Sequence, residues 1–231
     1  TAEGYDDQTL KEVVVLGFKR GIDCKSSQRV TITDAKMDCI NGVRISNSRD
    51  ISRFTNIHCW PYVTVGGTGD DILFRAGVGI EAIGGSSLGV DSVDWLTVKD
   101  CFTFAYQVGL HLQNCMLPTI DNFAADSYTG LSAGLRASMS GIYIDKYVTE
   151  PTLIAPKLTG LQQNGILVDM HAGSTSEVFI SGGVYKELVN GIRVVNGFVS
   201  AVGNRFSNLT NAYNILNNTS RLKASNEHYD S

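Results

Sequence analysis

Proline is nearly absent from this chain, with 4 in 231 residues, while glycine reaches 24. Tight turns are therefore implied without the proline punctuation of a linker. No stretch approaches the roughly 18 apolar residues of a membrane-spanning helix, and the N-terminus lacks a basic-then-apolar leader, so no membrane insertion is expected. Lys and Arg total 19 against 23 Asp and Glu, a net charge of -4. That balance speaks against nucleic acid, whose phosphates need a basic face. HExxH, an EF-hand loop, a P-loop and a nucleophile elbow are all missing, and no metal or cofactor is implied. The cysteines, Cys24, Cys39, Cys59, Cys101 and Cys115, are odd in number and include no CxxC. They read as small buried hydrophobes in a protein made in a reducing compartment. Apolar residues at 43% and charged residues at 18% suit one folded domain over 1–231 with a sizeable core.

What is present is a repeat. Gly21-Ile-Asp-Cys, Gly42-Val-Arg-Ile, Gly79-Ile-Glu-Ala, Gly109-Leu-His-Leu, Gly141-Ile-Tyr-Ile, Gly165-Ile-Leu-Val and Gly191-Ile-Arg-Val recur along the chain, and Ala212-Tyr-Asn-Ile is an eighth copy without its glycine. The residues one and three after the glycine are apolar in every copy, and the one between is polar in all but one. Such period-2 alternation makes each copy a strand with one buried face. Between copies lies a second element: Val30-Thr-Ile-Thr-Asp, Trp95-Leu-Thr-Val-Lys-Asp, Val178-Phe-Ile-Ser-Gly and Val199-Ser-Ala-Val-Gly. Each alternates and then meets a small or polar residue that tolerates left-handed backbone: Asp34, Asp100, Gly182 or Gly203.

The spacing varies from 21 residues, Gly21 to Gly42, to 37, Gly42 to Gly79. A variable length above a fixed minimum fits a solenoid whose coils share a core while loops grow outward. No stretch has the 3.6-residue apolar period of a helical solenoid, and a propeller has longer, more uniform repeats. The expected fold is all-β, a right-handed single-stranded parallel β-helix of about eight coils, its hand following the parallel-crossover rule. The repeat begins almost at residue 1 and a further coil opens at Arg221, so the chain is expected to be a segment of a longer solenoid.

In such a fold equivalent positions stack about 4.8 Å apart into columns. The second residues after the glycines are Asp23, Arg44, Glu81, His111, Tyr143, Leu167, Arg193 and Asn214; the fourth include Gln113, Asp145 and Asp169. Acids and aromatics thus gather on the middle coils, which also carry the long insertions 60–78, 84–94 and 126–140, the expected walls of a groove. Glycoside hydrolysis needs two carboxyl groups at about 5 Å or roughly 6.5–9.5 Å. Asp145 and Asp169 on adjacent coils, with Glu81 two coils from Asp145, are the catalytic candidates, and crowding of like charges would raise one pKa as a general acid requires. His111, Tyr143, Gln113, Trp60, Trp95, Tyr106 and Tyr128 are candidate substrate contacts, aromatic faces suiting the C–H faces of sugars. A solvated outer face would also hold acids, the tryptophans could sit at loop roots, and Asp70-Asp71 is either an alternative acid pair or a simple turn.

The Gly-Ile/Val-x-Ile strands and the segment Arg49-Asp-Ile-Ser-Arg-Phe-Thr-Asn-Ile-His-Cys-Trp-Pro resemble the β-helix domain of bacteriophage tailspikes and related pectate-lyase-like proteins. The resemblance implies a homotrimer on a virion, assembled in the host cytoplasm and acting at the bacterial surface. It also implies binding of a bacterial surface polysaccharide, O-antigen or capsule, and usually its cleavage, which makes a tailspike endoglycosidase the leading expectation. A non-catalytic receptor-binding segment, a Ca²⁺-dependent polysaccharide lyase and a structural spacer are the alternatives.

Overall fold

A computed structural model of the chain describes residues 2–4, 6–63, 73–87, 89–128, 130–160, 162–217 and 219–230. Asp70 and Asp71 lie outside them. The described residues wind as a parallel β-solenoid of nine coils and contain one helical turn, Ala133–Arg136. Nine parallel strands form one sheet, here the Gly sheet, and number the coils from 1 to 9: Ala2–Glu3, Arg20–Lys25, Asn41–Ser46, Arg75–Ile83, Tyr106–Gln113, Ser140–Ile144, Asn164–Asp169, Asn190–Asn196 and Asn211–Ile215. The eight sequence copies are coils 2 to 9; Ala2–Glu3 adds one more and is too short to carry the signature. A bent sheet closes the other side, with two strand segments per coil or one continuous strand, as in Thr31–Asp38.

The repeat has a direct steric cause. A Cβ placed on Gly109, Gly141, Gly165 or Gly191 would lie 2.5, 2.8, 2.6 or 2.7 Å from the carbonyl oxygen of the equivalent residue in the next coil. Only glycine lets the backbones approach that closely. Ala212 breaks the pattern in the last strand of the sheet, where no strand stacks beyond it among the described residues. The apolar positions fill the lumen: Val43, Ile80, Leu110, Ile142, Ile166 and Ile192 form one fully buried column, and Ile45, Ala82, Leu112, Ile144, Val168 and Val194 another. At about 1.5–3 kcal/mol for each large aliphatic side chain buried, these columns dominate the stability of the coils.

The bend between the two segments of the second sheet is left-handed in every coil, at Glu12, Asp34, Asn56, Asp100, Asn122, Ala155, Gly182, Gly203 and Asn226. Asn56 Nδ2 donates to Asp34 Oδ1 and Asn122 Nδ2 to Asp100 Oδ1, both at 2.7 Å, so the bend is tied between coils. A second polar ladder runs at the residue before the glycine: Asn164 Nδ2 to Ser140 Oγ, Asn190 Nδ2 to Asn164 Oδ1, and Asn211 Nδ2 to Asn190 Oδ1. All five cysteines are free and buried in the core, and burial pushes the Cys24 thiol up to about 11.

Candidate functional site

The outward column predicted from the repeat is the register of the Gly sheet. Asp23 pairs with Arg44, Arg44 with Glu81, Glu81 with His111, His111 with Tyr143, Tyr143 with Leu167, Leu167 with Arg193, and Arg193 with Asn214. Glu81, His111, Tyr143, Gln113, Asp145 and Asp169 therefore share the outer face of coils 4 to 7. In sequence, the described parts of the insertions 60–78 and 126–140 run up to the strands of coils 4 and 6, and those of 84–94 follow the strand of coil 4.

The carboxylates on this face are engaged. Glu81 Oε2 lies 3.0 Å from Arg20 Nη1 and 3.5 Å from Arg44 Nε, so arginines from two preceding coils converge on one acid. Asp169 Oδ1 accepts from Asn196 Nδ2 at 2.7 Å, and Asn196 Oδ1 in turn accepts from Asn217. That pairing departs from the simple columns. A bulge after Val168 sets Asp169 opposite Asn196 instead of Val195. Asp145 lies just past the end of its strand, where Oδ2 meets His111 Nε2 at 3.4 Å and Oδ1 accepts the Lys146 N–H at 2.7 Å. His111 stacks on Tyr143 with ring centroids 4.9 Å apart and planes within 3°.

These contacts set the charge states. Burial alone pushes the Asp145 carboxyl up, but hydrogen bonds from His111, the Lys146 N–H and Tyr143 outweigh it and hold the group below its ordinary value. The expected crowding that raises a carboxyl pKa is therefore not what Asp145 experiences. Tyr143 moves the other way: burial first, then the charges of Asp145 and Asp169, push its phenol up. It stays a protonated donor beside two carboxylates.

The predicted aromatics divide among different places. Tyr106 is a correction: it is 4% exposed, its hydroxyl donates to the Cys39 carbonyl at 2.8 Å, and it belongs to the core, where no sugar can reach it. Trp95 is half exposed, with left-handed backbone, beside the exposed Met116 and Leu117 at the far corner of the coil. Trp60 lies on the outer face of the bent sheet, against Phe104 at 4.4 Å. Tyr128 is exposed in the 126–140 insertion.

Two groups escaped the sequence reading. Tyr147 and His171 stack at 5.1 Å with planes 24° apart, beside a cavity of about 310 Å³ rimmed by Ser174, Thr175 and Ser176. Both follow their glycine by six residues, two beyond Asp145 and Asp169, so the same columnar logic locates them. On the bent sheet, His58 and Phe102 are register partners and contact at 4.9 Å, next to Trp60, Tyr62 and Phe104. Each of those two comes two residues after a bend residue. Among the described residues no three His, Cys, Asp or Glu side chains gather as a metal site.

No family model matches the chain, and no curated protein matches it. Among solved structures, the surface protein and adhesin PfbA of Streptococcus pneumoniae is similar at a TM-score of 0.48 and 11% identity, over 98% of this chain and 68% of that one.

Proposed function

We propose that the protein is a polysaccharide-recognition solenoid that binds a glycan chain across the outer face of coils 5 to 7. The observation that carries this is the stacked Tyr147–His171 pair beside its serine- and threonine-rimmed cavity, two residues along the chain from Asp145 of the Asp145–His111–Tyr143 network. Stacked rings offer flat apolar faces to pyranose C–H groups, and Asp145 with the Ser174, Thr175 and Ser176 hydroxyls offers partners to sugar hydroxyls. Such a concave mix of aromatic walls and a few polar groups is how small polar ligands are held. A bacterial surface polysaccharide, as the tailspike resemblance implies, is the ligand class.

Binding without cleavage is the preferred form of this reading. A glycosidase of either stereochemistry needs one carboxyl held protonated as general acid. Asp145 is held ionised by its neighbours, and Glu81 is clamped between two guanidinium groups. Hydrolysis keeps one specific support, an ionised Asp145 paired with His111, which could serve as a base.

The test is titration with oligosaccharides cut from bacterial surface polysaccharides, followed by mass analysis of the mixture. Saturable binding that Tyr147→Ala and His171→Ala weaken, with the oligosaccharide recovered intact, supports recognition. Shortened products lost in Asp145→Asn establish the hydrolase instead. Binding untouched by the Tyr147 and His171 variants refutes the site.

A further inference from the structure

The corner that joins the end of the Gly sheet to the bent sheet is left-handed in three successive coils. Trp95, Leu117 and Glu150 hold φ of 50°, 53° and 47°. They are equivalent positions, each two residues before one of the register partners Thr97, Thr119 and Thr152. The Trp95 N–H donates to the Met116 carbonyl at 2.8 Å, and the Leu117 N–H to the Thr149 carbonyl at 2.9 Å. Such backbone suits glycine, asparagine and aspartate and is costly for bulky side chains. Yet Trp95 is 50% exposed and Leu117 40%. Neither backbone preference nor core packing accounts for these two residues. With the exposed Met116, and with Ile51 two residues before Arg53 in the preceding coil, they make an apolar ridge.

The ridge runs into the cavity beside Tyr147 and His171. Met116 forms a parallel bridge with Thr149, and Thr149 lines that cavity. At about 4.8 Å per coil, the Trp95 backbone stands about 10 Å along the solenoid axis from that of Glu150, at the cavity end. The chemistry changes over that length. Leu117 and Met116 offer apolar contact, and Trp95 adds only an indole N–H. A sugar face lined with hydroxyls would lose its water there without replacement. At the cavity end, the Thr149 and Ser176 hydroxyls donate and accept. The Glu150 carboxylate is exposed, forms no ion pair among the described residues, and accepts. A methyl group carried on an amide matches both parts, the methyl on the ridge and the amide at its polar end.

Resting on the glycan reading above, we infer that the bound chain leaves the cavity along this ridge and that the ridge selects N-acetylated sugars. Acetamido methyl groups pack on Trp95, Leu117 and Met116, and an acetamido N–H donates to Glu150. The selection is by methyl and amide and requires no charge on the ligand. Chitotetraose and cellotetraose test it, because they differ only in carrying acetamido groups or hydroxyls at C2. The chain has 2 tryptophans, so its ¹H–¹⁵N spectrum should show two indole N–H signals, which Trp95→Phe assigns. Chitotetraose is expected to shift the Trp95 signal saturably and leave that of Trp60 in place, and cellotetraose to bind several-fold more weakly. Trp95→Asn and Leu117→Asn suit the left-handed backbone, so both should fold as the parent does while weakening chitotetraose several-fold. Glu150→Ala should weaken it too, and Glu150→Gln, which keeps an acceptor, should stay closer to the parent. The inference is overturned if the Trp95 signal does not move, if both indoles move alike, or if cellotetraose matches chitotetraose. Asparagine variants that bind as the parent does overturn it as well, and so does a Trp95→Asn protein that fails to fold, since packing would then account for the ring. An oligosaccharide whose binding Tyr147→Ala weakens while the Trp95 signal stays still would keep the cavity and remove the ridge, so the two readings fail separately.

Discussion

Arg75 Nη2 lies 2.6 Å from Asp38 Oδ1, with the two side chains 8% and 2% exposed. The pair ties the start of the Gly-sheet strand Arg75–Ile83 to the end of the bent-sheet strand Thr31–Asp38. Asp38 Oδ2 also accepts the Val63 N–H at 2.8 Å, and Arg75 Nη1 donates to the Leu73 carbonyl at 3.1 Å. Both roots of the insertion between coils 3 and 4 thus hang on one buried ion pair. Removing a single partner strands the other charge in the interior, at a cost of about 3–5 kcal/mol. Arg75→Met and Asp38→Leu should each lower the urea midpoint strongly. The double variant should recover most of the loss, because an apolar pair carries no desolvation penalty. Additive losses in the double variant would show that the two side chains act separately.

The glycine column makes a sharper steric prediction. A methyl group on Gly109 would meet the Gly141 carbonyl at 2.5 Å and Thr103 Oγ1 at 2.7 Å. Neither neighbour is a flexible chain end, so the coils must shift, and Gly109→Ala should cost about 1–3 kcal/mol. Gly134 sits exposed in the helical turn with nothing within 4 Å of its added methyl group. Gly134→Ala should be neutral or stabilising by up to about 1 kcal/mol. Thermal midpoints of the two variants, measured side by side, should move in opposite directions or differ by the full cost of the clash.

The solenoid was readable because one contact repeats: each glycine faces the backbone of the next, and two apolar residues must follow it inward. Once strand period and stacking were known, the outward column from Asp23 to Asn214 followed without any loop geometry. What failed depended on events the period does not encode. The bulge after Val168 moved Asp169 onto Asn196. Tyr106 precedes its glycine by three residues, outside the repeat unit and on the same inward parity as Leu110 and Leu112, so it reads as a loop-edge aromatic although its ring lies in the core. Arg20 reaches Glu81 diagonally across two coils, which no column position announces. Trp60 and Trp95 looked alike as loop-edge aromatics, yet the cross-section of the coil puts them on different faces.

The network at Tyr143 gives opposite signs at the two ends of the pH scale. Asp145 has its folded pKa held below the ordinary carboxylate value. It therefore contributes stability above the unfolded pKa of about 3.9, and that stability is lost as pH falls through the lower folded value. Tyr143 has its folded pKa raised by burial and by two nearby carboxylates. Its contribution is present below the unfolded value of about 10 and disappears as pH rises through the folded one. Asp145→Asn should thus be less stable than the parent at neutral pH, with the gap closing at the acid end. Tyr143→Phe should show its gap at neutral pH closing at the alkaline end. A gap that stays constant with pH in either variant would mean that packing, not ionisation, holds the corner.

The bend column offers a stabilising change. Ala155 occupies the left-handed bend at φ 48°, where its Cβ crowds the carbonyl. Its counterparts in the two preceding coils are Asn122 and Asp100, linked side chain to side chain at 2.7 Å. Left-handed backbone costs an ordinary residue roughly 1–2 kcal/mol, and asparagine tolerates it best after glycine. Ala155→Asn should relieve that strain and let the new amide donate to Asn122 Oδ1, extending the Asp100–Asn122 ladder by one rung. A gain of about 0.5–1 kcal/mol is expected, which is about 1–4 °C in the thermal midpoint for a chain of this size. Ala155→Gly removes the same strain but adds freedom to the unfolded chain, so it should gain less. Ala155→Val puts a branched carbon into the bend and should lose. The stability order Asn above Gly, Gly at or above Ala, and Ala above Val tests the bend directly; Val equal to Asn would show that the bend geometry carries no strain at this coil.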